Sequence, residues 1–144
     1  MSHGILLWGP SAYKWYLDKI QIQQNKAVRI IKSPVKNTSH TFTDLCIMNV
    51  NELINFENLK LMYKVSKKIV PSPIIDIFES TKFNHSYDTR NKNDPRFDKD
   101  RNYSDLQKSF ICEGPRLWSQ LANNLKHCPS PKKFVINYKR YIFS

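Results

Sequence analysis

Glycine is nearly missing from this chain: only Gly4, Gly9 and Gly114 occur in 144 residues. A loop that cradles phosphate needs several glycines at short spacing, so that backbone N–H groups approach the ligand closely. Nucleotide binding of that kind is therefore excluded. Cysteine is as sparse. Cys46, Cys112 and Cys128 are odd in number and far apart, with no Cys-x-x-Cys, which argues against a disulfide framework and for a reducing compartment. His127 adjoins Cys128, yet no second pair stands at zinc-ligand spacing. Acidic residues number 12, mostly single among basic neighbours, and no two aspartates are adjacent. Paired carboxylates able to hold a divalent metal for phosphoryl transfer are thus lacking. No apolar run approaches the ~20 residues of a membrane span. The opening MSHGILLWGP has neither a basic region ahead of its apolar stretch nor a small-residue cleavage site. These absences lead us to expect a soluble intracellular protein, cytoplasmic or nuclear, with no cofactor, no metal and no membrane partner.

Positive charge is what the chain has in excess. Lys and Arg number 23, for a formal net charge of +11 and an isoelectric point near 9.7. Residues 1–71 hold ten basic and four acidic residues and residues 72–144 thirteen and eight, so neither half is a detachable basic tail. A field of this sign attracts polyanions, and the RNA or DNA backbone is the first partner it implies, because phosphate neutralisation requires Lys and Arg in number. An anionic membrane surface, or simple solubility, is the plainer alternative. Hydrophobic residues make up 40% and aromatics 12%, enough for a packed core and unlike a disordered chain.

Periodicity predicts a mainly α fold: a small helical bundle with a loop-rich segment that has room for a short irregular β-hairpin. Ile5–Trp8, closed by Gly9-Pro10, reads as strand-like or as the start of a turn. Ser11 then caps a helix in which Leu17, Ile20, Gln24, Ala27, Val28 and Ile31 recur at three- and four-residue spacing until Pro34. Its other side carries Lys14, Lys19, Lys26, Arg29 and Lys32. Thr43–Met48 resembles a single helical turn. Asn51 caps a second long helix whose apolar positions, Leu53 to Ile69, cover most of the circumference, so it belongs at the centre of the fold. Ser72 caps a short helix with Pro73 in its first turn. Residues 82–108 hold seven basic and five acidic residues with Asn, Asp and Pro, a loop composition, and Ser109–Cys112 reads as a short strand. Gly114-Pro115 opens a helical segment with Leu117, Trp118, Leu121 and Leu125 on one side. Ser130 caps a last helix carrying Phe134, Val135, Tyr138, Tyr141 and Ile142. Two units follow: a helical bundle over 1–80 and a loop-rich segment over 81–144 ending in amphipathic helices.

Read in order, HGILLWG (3–9), QNKAVRIIKS (24–33), NELINFENLKLMYKV (51–65), HSYDTRN (85–91) and CEGPRLWSQLANNLK (112–126) form a series that resembles the C-terminal part of reverse transcriptases from LINE-type (non-LTR) retrotransposons of the jockey kind. The resemblance covers nearly the whole chain and corresponds to the thumb and the segment after it. Its most specific part pairs the His-x-Tyr-x-Thr-Arg element with a Gly-Pro-x-x-Trp some 25 residues later. Two departures stand out. The family's Trp-Asn-x-Leu-Pro is here Trp118-Ser119-Gln120-Leu121-Ala122, and the Asp-Asp strand of the family's polymerase centre has no counterpart. The resemblance implies an RNA-directed DNA polymerase as parent, with thumb helices gripping the template–product duplex, and for this chain alone no polymerase activity.

On a strand, His85, Tyr87 and Thr89 would face one way and Asp88 and Arg90 the other, a poor arrangement for general acid–base work. Anchoring suits HSYDTRN better, with Arg90 free to clamp a carboxylate, a carbonyl or a phosphate. The candidate nucleic-acid contacts are Lys26, Arg29, Lys32 and Lys36, with Arg90, Arg116, Lys132 and Lys133; there is no catalytic candidate. The competing expectation is an evolutionary remnant or interaction module that needs a reverse transcriptase palm domain to cover apolar surface, notably Ile5, Leu6, Leu7 and Trp8.

Overall fold

The computed structural model describes residues 4–9, 12–32, 42–79 and 110–143. Among them the secondary structure is helical throughout: α1 (Ile5–Trp8), α2 (Lys14–Lys32), α3 (Val50–Ser66), α4 (Ser72–Glu79), α5 (Phe110–Gln120), α6 (Asn123–Lys126) and α7 (Pro131–Phe143). A further helical turn covers 42–44. HSYDTRN, the expected 82–108 loop with its hairpin, Ser11, Lys36 and Arg90 lie outside the described residues, as does the side chain of Lys32.

Helix α3 is the axis of the bundle, in agreement with its apolar circumference. Its start is two residues earlier than Asn51. Asn49 is the cap, accepting the Glu52 N–H at 2.9 Å while the Glu52 carboxylate accepts the Asn49 N–H at 2.9 Å. This reciprocal pair satisfies two of the donors that a helix start leaves orphaned. Its end is also earlier than expected, at Ser66. Lys68 adopts φ 56°, its N–H reaching the Val65 carbonyl and that of Ile69 the Lys64 carbonyl, both at 2.9 Å. That pattern is a Schellman motif built on lysine where glycine is usual. Ile69 consequently lies beyond the helix and is exposed.

The main core forms where α5 and α7 pack on α3. Tyr63 stacks on Phe134 at 4.7 Å and meets Trp118 edge-on at 6.4 Å, and Phe56 stacks on Tyr138 at 5.5 Å. Trp118 is buried in this cluster, so it is a core residue. The cluster joins Phe56, Met62 and Phe78 to Trp118, Phe134 and Tyr138, drawing side chains from both sides of residue 80. A smaller cluster sets Ile5 against Val50 and Ile54, with Leu17 and Ile20 alongside.

Three local expectations are corrected. Ile5–Trp8 is a helical turn, entered through Gly4 at φ 75°; a left-handed residue is accessible to glycine at little cost. Ile5 is only 2% exposed, covered by the chain's own α3, so it offers no bare surface for a palm domain. Residues 110–112 are helical, because Phe110 and Ile111 pack against the main core as the first turn of α5. Burying them offsets the hydrogen bond that Pro115 removes from the helix interior. Gly114 on α5 leaves room for the Met62 side chain of α3: a Cβ there would lie 2.7 Å from the Met62 sulfur. Pro73 sits in the first turn of α4 as expected, but Ser72, expected as the cap, is the first helical residue, and Pro71 supplies the carbonyl that receives the Ile74 N–H at 3.0 Å. Ser130 caps α7, its hydroxyl accepting the Lys133 N–H at 3.3 Å.

Candidate nucleic-acid interface

The rotation of α2 decides which side chains meet solvent, and two glutamines set it. Gln24 donates from Nε2 to the Met48 carbonyl at 2.8 Å. Gln21 accepts the Val50 N–H at Oε1, 2.9 Å away, and its Nε2 donates to Asn25 Oδ1 at 2.9 Å. Val50 is the first residue of α3, so Gln21 satisfies from another helix a donor that has no intrahelical partner. With Leu17, Ile20 and Val28 on the same side, these contacts hold one face of α2 toward α3.

The opposite face carries Trp15, Lys19, Ile22, Lys26 and Arg29, each exposed. Their spacing of four, three, four and three residues makes one stripe along the helix. Lys26 and Arg29 therefore share an outward surface, and Asp18 is the only acid on the helix. Both cations are exposed, so a phosphate can approach them directly, with an attraction that salt screens. The α2 residues expected to face inward do so only in part: Ala27 and Ile31 are exposed, with Ile31 at 66%.

The other candidate cations stand on different helices. Arg116 is on α5 and is held by Glu113, its Nη2 and Nε lying 2.6 and 2.8 Å from the same carboxylate oxygen. It lines a cleft of about 230 Å³ with Gly9, Leu17, Ile54 and Asn58. A contact with phosphate there would compete with Glu113. Lys132 and Lys133 are exposed in the first turn of α7, which has no acidic residue to balance them. Lysine at a helix N-terminus opposes the macrodipole, so these two add charge to that end without stabilising it.

Reading the sequence for charge missed the aromatics beside these cations. Tyr13 is 69% exposed, Trp15 48% and Tyr16 50%. Trp15 and Tyr16 stack at 3.5 Å, and the Lys19 ammonium lies 4.5 Å from the Trp15 ring centre. The signal was present in the chain, since Trp15, Lys19, Ile22 and Lys26 keep helical spacing on the side opposite Leu17 and Val28. Cys128 is buried, with Asn137 Nδ2 donating to its sulfur at 3.5 Å. No cluster of three His, Cys, Asp or Glu suited to a metal occurs among the described residues, and no described helix is long and apolar enough to cross a membrane. No protein-family model, curated protein or solved structure matches the chain.

Proposed function

We propose that this chain is a non-catalytic nucleic-acid-binding fragment, akin to the thumb and following segment of a LINE-type reverse transcriptase, that grips the phosphate backbone of RNA or DNA. The observation that carries the reading is the placement of Lys26 and Arg29 on one exposed stripe of α2, with Lys19 in line and a net charge of +11 behind them. Backbone contact of this type needs cations on a rigid element and little base readout. Titrating the purified chain with RNA and DNA duplexes over a range of salt tests it. Affinity should fall with salt at a log–log slope of about −0.9 per phosphate neutralised on B-DNA. Absence of binding at low ionic strength, or binding indifferent to salt, overturns the reading.

The exposed Ile22, Ile30 and Ile31 favour a second reading, an interaction module that docks on a palm domain. Sizing of the purified chain separates the two: self-association at low concentration supports the module, and a monomer supports a self-sufficient binder.

A further inference from the structure

We infer that the N-terminal half of α2 is a stacking platform for unpaired nucleotides, with Trp15 and Tyr16 receiving the bases and Lys14 and Lys19 the phosphates. The inference rests on the proposed nucleic-acid reading and adds to it the class of strand. Trp15 and Tyr16 are half-exposed, whereas Val28 is buried and Leu17 and Ile20 partly so, and neither ring belongs to a core cluster, so core packing does not account for them. Their rings stack on each other at 3.5 Å with 29° between their planes, an exposed aromatic pair that a base can join. Lys19 holds its ammonium 4.5 Å from the Trp15 ring centre, and Lys14, the residue before Trp15, is exposed.

A nucleotide carries the matching pair of chemistries, a flat π face next to an anion, and sequence-tolerant single-strand binding uses both. A duplex does not fit the platform as well, since its bases already stack on one another and show only their edges in the grooves. Cations alternate with apolar side chains along the stripe, Lys19 before Ile22 and Lys26 after it, which breaks any continuous apolar strip. A protein partner docking by hydrophobic contact would need that continuity. Further along, Lys26 and Arg29 continue the cationic track in the direction a strand would leave the platform.

The test is fluorescence and binding with the full chain. Oligo(dT), oligo(U), an abasic single strand and a duplex of equal length serve as probes, with anionic phosphatidylserine vesicles as a fourth class. Base-bearing single strands should quench tryptophan emission, and Trp15→Ala should weaken their binding by roughly 5- to 150-fold. The same variant should leave duplex and abasic-strand affinity, and the salt slope, unchanged. Trp15→Phe should restore most of the loss, and Tyr16→Ala should give a smaller one. Both side chains are exposed, so circular dichroism and the denaturation midpoint should match the parent. Equal single-strand affinity in Trp15→Ala overturns the inference while salt-dependent duplex binding leaves the proposed function standing. Trp15-dependent quenching by vesicles but not by oligonucleotides overturns it in favour of a lipid surface. Loss of all salt-dependent nucleic-acid binding in the parent chain removes the proposed function itself.

Discussion

The Tyr63 hydroxyl donates a 2.6 Å hydrogen bond to the carbonyl of Cys128, joining the central helix to the turn before α7 across 65 positions of sequence. Both residues are buried. Tyr63→Phe keeps the ring contacts with Phe134 and Trp118 and strands the carbonyl, so it should cost about 1–3 kcal/mol. Urea denaturation measures this; a loss below about 0.5 kcal/mol would show that the bond contributes little.

Alkaline pH should weaken the fold through the same residue. Burial pushes the Tyr63 phenol above its ordinary value near 10, and the neighbouring Cys128 adds to the rise. Tyr138 is raised as well, first by burial and then by Glu52 and Tyr141. A raised phenol pKa means that the fold favours the protonated form. The corresponding stability is therefore complete below about pH 10 and is lost as pH climbs through the folded values. Denaturation midpoints at pH 8, 10 and 11 should show that fall, and the double variant Tyr63→Phe/Tyr138→Phe should show a shallower one.

Gly114→Ala should destabilise by about 1–3 kcal/mol, because the added methyl meets the sulfur of the fully buried Met62. Combining it with Met62→Ala should cost less than the two single changes added together, since the cavity receives the methyl. Strict additivity in thermal or urea melts would place the strain elsewhere.

Lys68→Gly should stabilise. Lys68 holds φ 56° to complete the end of α3, a conformation that costs a non-glycine residue about 1 kcal/mol or more. Glycine also gains freedom in the unfolded chain, which offsets part of that. A net gain of about 0.5–1 kcal/mol is expected, read as a higher denaturation midpoint with an unchanged slope.

Charge removal at the stripe should show in salt dependence. Lys26→Gln and Arg29→Gln should each reduce the slope of log affinity against log salt by about 1 and weaken binding equally across sequences. Arg116→Gln, whose guanidinium is engaged by Glu113, should change the slope less. Equal effects at all three positions would show that Glu113 gives up Arg116 when nucleic acid binds.

Most of the helices were legible in the chain because their determinants are local. The i, i+4 rows of α7, its Ser130 cap and the apolar circumference of α3 depend on neighbours within a turn or two. The cap of α3 was misread: Asn49-x-x-Glu52 has the capping-box spacing, and it outcompetes the expected Asn51 because Glu52 returns the bond. The candidate interface was legible in its charge and not in its aromatics. Charge identified Lys26 and Arg29, but hydrophobicity alone cannot say whether Trp15 or Leu17 turns inward when both are apolar. Nor does local pattern show that α3 would cover Ile5, or that α5 would carry a proline inside it.

The amino-acid sequence by itself determined the helical class, the Ser130 cap, the central position of α3 and the excess of positive charge, since each follows from short-range periodicity or composition. The tertiary structure alone decided the helical state of residues 5–8 and 110–112, the Tyr63–Cys128 tie and the outward face of α2. Those features depend on partners far away in the chain, as when Gln21 bonds to Val50 across 29 positions and thereby turns Trp15, Lys26 and Arg29 toward solvent.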